Sequence, residues 1–324
     1  MKLRCAVDAF VIGCFLVSAG SPAIAQGYPD RPIRIVVPYA PGGATDLLAR
    51  LLQEPLRKSL GRPIIIENKS GAAGAIGTRD VAHSAPDGYS LLIANSGIGL
   101  VPLLQKDAGF DFRKDFAPVA IIGRTPIVII ANGNLPVKDL AGLIEYGKRD
   151  KNGLLFGSAG VGSLGHLSGA LFAKMSGVTL EQAPYRSQTQ TVMAVVSGEV
   201  PIAFTSSSDA MLGLAKDGRL KILGIGVTEP SPLIPGGVPI SRTLPGYSVA
   251  LWQGILAPAG TPTSVIAKLN DAVAEALASP EIQQKYERAT YSVVSTTPAQ
   301  FSEEIASEYA RWSTIIREQN IRAE

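Results

Sequence analysis

Val37-Pro38-Tyr39-Ala40-Pro41-Gly42-Gly43-Ala44-Thr45-Asp46 is the stretch that decides the fold. The apolar run 33–37 leads into it and reads as a buried strand. Leu47, Leu48, Leu51 and Leu52 lead out of it at helical spacing. Two prolines end the strand, two glycines allow a sharp turn, and Thr45 or Asp46 can cap the new helix. Such a turn leaves unpaired N–H groups at the positive end of a helix dipole, which favours an anion. One turn of this kind is ordinary in an α/β protein.

Here the turn recurs. The strand 64–67 runs into Asn68-Lys69-Ser70-Gly71-Ala72-Ala73-Gly74-Ala75-Ile76-Gly77-Thr78. The strand 154–156 runs into Gly157-Ser158-Ala159-Gly160-Val161-Gly162-Ser163-Leu164-Gly165-His166. A helical pattern follows each. Asn95 and Ser96 after the strand 89–94, and Thr205-Ser206-Ser207-Ser208-Asp209 after the strand 202–204, are polar loops of the same kind. Ligands of open α/β sheets bind outside the carboxyl ends of the strands, where these loops fall. The three glycine loops hold one lysine and no metal-ligand cluster. Backbone N–H groups and a few hydroxyls suit a carboxylate or another small anion, with no metal and no cofactor.

The rest of the chain bounds this reading. Its 324 residues suffice for one large domain or two smaller ones. A net charge of +3 without a basic run argues against a nucleic-acid surface. Lys2 and Arg4, the apolar segment 11–17 and Ala23-Ile24-Ala25 form a secretory signal peptide over 1–25, cut after Ala25. Val11-Ile12-Gly13-Cys14 looks like a lipoprotein box, but Asp8 interrupts a short apolar run before it, and the run after it is apolar too. Both cysteines, Cys5 and Cys14, lie in this segment, so the mature chain has no disulfide and no thiolate metal site. An exported chain of this kind is expected in the periplasm.

Further along, a helix over 45–60 should stop at Gly61, with Pro55 bending or shortening it. The apolar runs 116–122 and 127–131, split by Gly123-Arg124-Thr125-Pro126, read as one strand bent at a domain crossover. Residues 229–245 read as a long loop, and 263–278, 280–288 and 298–320 as helices with proline starts.

Together these residues identify a family. Pro41-Gly42-Gly43 with Asp46 and Arg50, the loop with Asn68, Gly71, Gly74, Ile76 and Gly77, and Ala85-Pro86-Asp87-Gly88-Tyr89 carry the resemblance. Ser158-Ala159-Gly160 with Gly162, Ser163 and His166, then Pro184-Tyr185, Trp252 and 257–262 complete it. The chain resembles a substrate-binding protein of the tripartite tricarboxylate transporter, the Bordetella uptake gene family, over residues 28–320. The resemblance implies an α/β fold of the two-lobed periplasmic binding protein type, with two crossover strands and no enzymatic activity. It implies a monomer that captures a di- or tricarboxylate, an acidic amino acid or an aromatic carboxylate between its lobes. It also implies delivery to the large and small membrane subunits of the transporter. The first lobe is expected over 26–124 and 229–324, the second over 125–228.

The ligand site follows from the loops. The first lobe should offer Tyr39, Gly42, Gly43, Ala44 and Thr45, then Ser70, Gly71, Ala72, Gly74 and Thr78, with Asn95 and Ser96 behind them. The second should offer Ser158, Ala159, Gly160, Gly162, Ser163 and His166, then Tyr185, Phe204, Ser206, Ser207 and Asp209. Asp46 reads first as a helix-start residue and second as a contact for a ligand amino group. Arg186 stands where the family often has lysine. It is either solvated or a bidentate partner for a second carboxylate. Phe204 and Trp252 read as core or hinge packing, or as stacking partners for an aromatic ligand.

Three rival readings share parts of this pattern. Gly160-Val161-Gly162-Ser163-Leu164-Gly165 fits a dinucleotide fingerprint, though as a lone match in mid-chain. Ser163 and His166 could suggest a serine hydrolase, but Val161 breaks the G-x-S-x-G elbow. A periplasmic ligand sensor for a signalling receptor would have the same fold, and the sequence does not separate it from a transport receptor.

Overall fold

The computed structural model describes residues 27–322 apart from Lys106 and Lys151. The expected leader and both cysteines lie outside the described residues. The chain opens with β1 (Ile33–Val37), α1 (Ala44–Leu60), β2 (Ile64–Asn68), α2 (Ala75–Ala82) and β3 (Ser90–Asn95). Two one-turn helices, α3 (Ser96–Gly99) and α4 (Val101–Leu104), precede the 17-residue strand β4 (Phe116–Asn132). It continues through α5 (Leu140–Arg149), β5 (Leu154–Ser158), α6 (Leu164–Ser176), β6 (Leu180–Pro184) and α7 (Gln188–Ser197). Then come β7 (Ile202–Ser206), α8 (Asp209–Lys216) and β8 (Leu220–Ile225). It returns by β9 (Ala250–Pro258), α9 (Thr263–Leu277), α10 (Pro280–Arg288), β10 (Ser292–Val293) and α11 (Pro298–Glu318).

The strands form one mixed sheet in the order β2-β1-β3-β9-β4-β7-β5-β6, with β8 and β10 also on β4. β4 joins two halves. Its first part pairs antiparallel with β9 and β10, and its second part pairs antiparallel with β7 and β8. The bent continuous strand expected from the sequence is therefore present, and Pro126 sits inside it. Within each half the central strands run parallel: β1 with β2 and β3, β5 with β6 and β7. Parallel neighbours place their carboxyl ends, and the loops that follow, side by side.

Four buried clusters fill the space between sheet and helices. Two belong to the first half, built around Ile35, Leu52 and Ile255, and around Leu92, Trp252 and Phe301. Two belong to the second, built around Ile129, Phe156 and Phe204, and around Val128, Val195 and Ile225. Leu233, Ile234, Leu244, Tyr247 and Val249 pack into the second pair, so the stretch read as a loop over 229–245 is a packed connection. α11 spans both halves. Phe301 and Ile305 bury in the first, and Trp312, Ile315 and Ile316 in the second.

Pro55 does not shorten α1, which runs on to Leu60 and ends at Gly61 with φ 67. Burial of Leu48, Leu52, Leu56 and Leu60 along one face holds the helix together across it. A proline in a helix interior costs about 3 kcal/mol. Each buried leucine contributes about 1.5–3 kcal/mol. The register of α6 depends on a glycine. A Cβ on Gly165 would run into the carbonyl oxygen of Phe204, so only glycine lets this helix lie so close to β7.

Candidate ligand-binding site

The loop after β1 is held by one carboxylate. Asp46 is 3% exposed. It accepts from the Gly42 N–H at 2.9 Å, from Arg50 Nε at 3.0 Å and from Asn68 Nδ2 at 2.9 Å. Burial pushes its carboxyl up, but the hydrogen bonds from Arg50, Gly42 and Asn68 outweigh this and leave it below the usual range. Asp46 is thus a structural brace, and of its two readings the ligand contact falls away. Gly42, expected to offer its N–H to a ligand, has that N–H on Asp46 instead. The N–H groups of Gly43, Ala44 and Thr45 have no acceptor among the described residues. The Thr45 hydroxyl turns inward and donates to Gln253 Oε1 at 3.1 Å.

The loop after β2 is bound to the first. Asn68 also donates to the Tyr39 carbonyl at 3.1 Å. Lys69, the one lysine of the glycine loops, is held by Asp80 at 2.8 Å and Glu67 at 3.3 Å. Gly71, Ala72, Ala73 and Gly74 all have positive φ, from 47° to 130°. Consecutive residues of this kind curl the chain so that successive N–H groups converge. Two alanines at positive φ are strained, so the surrounding hydrogen bonds must hold the loop in this shape. The N–H groups of Gly71, Ala72 and Ala73 have no acceptor among the described residues, whereas Gly74 donates to the Gly71 carbonyl. Ser70 is exposed. Thr78 is fully buried and donates to the Gly74 carbonyl, so it braces the loop and does not reach a ligand.

After β3, Asn95 caps α3 by accepting from the Ile98 N–H at 3.2 Å. Ser96 is 1% exposed and its hydroxyl has no partner among the described residues. Tyr39, half-buried, packs against both clusters of the first half.

In the second half the loop after β5 is built on Ser158 and His166. Ser158 is buried, its carbonyl accepts from the Tyr185 N–H, and its hydroxyl accepts from Gln182 Nε2 at 2.7 Å. Ser163 caps α6 by accepting from the His166 N–H at 3.2 Å. His166 Nδ1 accepts from the Gly162 N–H at 3.0 Å, so that nitrogen carries no proton. Burial lowers the imidazole to about 4, which keeps it neutral at physiological pH. Neither nitrogen nor hydroxyl forms a Ser163–His166 nucleophile pair, and the hydrolase reading fails here. The N–H groups of Ala159, Gly160 and Val161 have no acceptor among the described residues.

Several expected contacts are committed elsewhere. Phe204 is fully buried against Phe156 and Phe172, because alternation on β7 points it into the core under α6. It does not line a ligand site. Tyr185 donates to Glu199 at 2.9 Å. Ser206 and Gln188 exchange two hydrogen bonds, and Ser207 bonds Thr125 at 2.8 Å where β4 changes halves. Asp209 sits exposed in the first turn of α8. Arg186 is exposed and its guanidinium has no partner among the described residues. Arg186→Ala is expected to change anion affinity by less than about twofold, as for a solvated charge. Calorimetric titration of the variant is the check.

One residue escapes the sequence reading altogether. Gln253 is 1% exposed in the middle of β9, accepts from Thr45 and donates to the Tyr291 hydroxyl at 3.1 Å. A lone amide in the apolar run of β9 was the available signal.

The arrangement leaves open N–H groups at the carboxyl ends of β1, β2 and β5, with the adjacent acids and the loop lysine paired off. It can hold an anion by backbone donors. No group of three His, Cys, Asp or Glu among the described residues could hold a metal.

Comparison with known proteins identifies the family and the fold. The model of the tripartite tricarboxylate transporter family receptor matches residues 48–321. Protein BugT of Bordetella pertussis is 34% identical over 318 residues, covering 95% of this chain and 96% of that protein. The structure of periplasmic binding protein BugD superposes with a TM-score of 0.75 at 29% identity, covering 92% of this chain and 100% of that one. MatC of Rhodopseudomonas palustris with bound malate gives a TM-score of 0.74 at 32% identity, covering 89% and 100%. An R. palustris protein with adipate gives 0.78 at 31%, covering 91% and 99%.

Proposed function

The chain belongs to the tripartite tricarboxylate transporter receptor family, and from that premise we propose that it captures a small carboxylate between two lobes and hands it to the membrane subunits of such a transporter. The family is one of solute receptors, so the chain is a binding protein and not an enzyme. The observation that carries the carboxylate reading is the set of open N–H groups at Gly43 to Thr45, Gly71 to Ala73 and Ala159 to Val161. A carboxylate accepts several such bonds at once, and each is strengthened by its charge. Relatives of this chain hold malate and adipate, which supports a dicarboxylate. The protein works in the periplasm after losing its leader at Ala25.

The lobes follow the buried clusters. The first holds about 27–124 and 250–310, and the second about 125–249 with the last turns of α11, while Leu100, Leu103 and Leu104 around α4 pack against the second. The boundary proposed here is the start of β9, in place of the expected 229. Closure of the lobes would exclude water from the loops and strengthen their hydrogen bonds.

A thermal-shift screen of carboxylates, with malate and adipate included, tests the reading. A ligand at a hundred times its dissociation constant is expected to add about 2.7 kcal/mol of stability. A screen in which no carboxylate raises the melting temperature, while a sugar or an amine does, sinks the proposal.

A further inference from the structure

One face of α11 holds β4, the strand that joins the halves, and its ladder partner β9. Glu304, Glu308 and Arg311 stand at i, i+4 and i+7 and so share that face. Glu304 takes Arg124 of β4 in a two-pronged pair at 3.1 and 3.3 Å. Glu308 accepts the indole N–H of Trp252 on β9 at 2.8 Å. Arg311 donates to the carbonyl of Ser248, just ahead of β9, at 2.7 Å. Arg124 and Trp252 are direct partners in the β4–β9 ladder, immediately before β4 passes to the second half.

Glu308 is the unusual member. It is 5% exposed, and among the described residues its second oxygen has only the Arg311 guanidinium, 3.7 Å away. Arg311 Nε and the neighbouring Trp312 Nε1 are buried with no partner among the described residues. The other charged and titratable groups on neighbouring elements are spoken for. Arg124 and Glu304 hold each other, Arg113 is on Asp111 and over the Tyr309 ring, Lys174 of α6 is on Glu318, Lys268 of α9 is on the Tyr28 carbonyl, the Tyr247 hydroxyl is on Ser168, and the neutral His166 of α6 is on Gly162. β9, α3 and α4 bring no charged side chain. Burial pushes the Glu308 carboxyl up to about 7. Glu304 adds to this, while the Trp252 bond and the charges of Arg311 and Arg124 oppose it.

We propose that Glu308 is a proton-operated latch on the hinge between the lobes, an inference that rests on the two-lobed reading above. Protonated, it accepts from Trp252 and leaves Arg311 on Ser248. Ionised, a buried carboxylate needs a close cation, so it draws Arg311 into a charge-assisted hydrogen bond. Arg311 is tied to Ser248, and its movement pulls on the segment that enters β9. The two protonation states thus favour different lobe arrangements, and a proton shifts the population between them.

The chain has two tryptophans, Trp252 and Trp312, and both lie in this cluster, so intrinsic fluorescence reports on it directly. Ligand-free protein titrated between about pH 5.5 and 9 is expected to show one emission transition centred near pH 7. The radius of gyration from small-angle scattering should change with the same midpoint. Glu308→Gln still accepts from Trp252 but cannot ionise, and is expected to remove both transitions. Should that variant not fold, Trp252→Phe deprives the carboxylate of its donor and is expected to move the scattering midpoint upward. Transitions that persist in Glu308→Gln, a midpoint unmoved in Trp252→Phe, or emission that titrates while the scattering stays constant, each overturns the latch. No carboxylate ligand enters this test, so its failure is distinct from a failure of the carboxylate screen.

Discussion

Gly43→Val is expected to stay folded and to lose about ten- to a hundredfold in carboxylate affinity. The backbone at Gly43 is extended, with φ −77° and ψ 169°, which a β-branched residue adopts readily. A Cβ there meets only the Ala40 carbonyl, at 3.8 Å. Valine is a poor helix cap, and that costs about 1 kcal/mol of stability. Its two methyl groups, however, add bulk next to the open N–H groups of Ala44 and Thr45 and hinder close approach of a carboxylate. Losing one charge-assisted hydrogen bond costs about 1.5–3 kcal/mol, which is the stated range in affinity. Gly160→Val is a less clean probe. Gly160 has φ 102°, so a side chain there strains the loop as well as blocking it. Calorimetry with the ligand found by the screen, beside a melting curve, separates the two effects. Normal binding in folded Gly43→Val, together with loss of binding in Arg186→Ala, would mean an arginine clamp in place of a backbone cradle.

Asp46→Ala is expected to destabilise the protein by about 3 kcal/mol, in the range for removing one partner of a buried charge network. Three donors from three places in the chain lose their acceptor together: the Gly42 N–H, Arg50 and Asn68. The pH dependence has a definite sign. Asp46 has its folded pKa below the unfolded value, because the donors outweigh the cost of burial. Its contribution is therefore complete above the unfolded pKa and is lost as pH falls through the lowered folded one. Urea unfolding at several pH values should show a constant gap between wild type and variant from about pH 5 upward, closing below about pH 4. A gap that widens in acid would contradict the assigned network.

Much of the fold was legible because its signals are local. Apolar runs of strand length, paired prolines and glycines, and capping residues fall within a few positions of one another around 33–46, 64–78 and 154–166. The strand-loop-helix units at those places are the ones observed. The two apolar runs around Gly123 to Pro126 likewise announced a strand shared by two halves. The order of the loop motifs along the chain sufficed for the family.

Long-range pairing settled what the local pattern left open. Asp46 could be brace or ligand contact until the parallel pairing of β1 and β2 brought Asn68 against it. Phe204 could face a ligand or the core until α6, riding on Gly165, covered that side of β7. Ser206 and Ser207 looked like free hydroxyls until Gln188 and Thr125, distant in sequence, reached them. α11 reads as a helix from its proline start, yet nothing in that signal says that its first turns bury in one half and its last in the other. Local residues dictate where backbone donors are exposed, because turns and helix starts obey neighbours along the chain. Which donors remain open, and which side chains are used up in holding them there, was decided only by the tertiary structure, because hydrogen-bond partners and burial depend on residues that folding alone brings together.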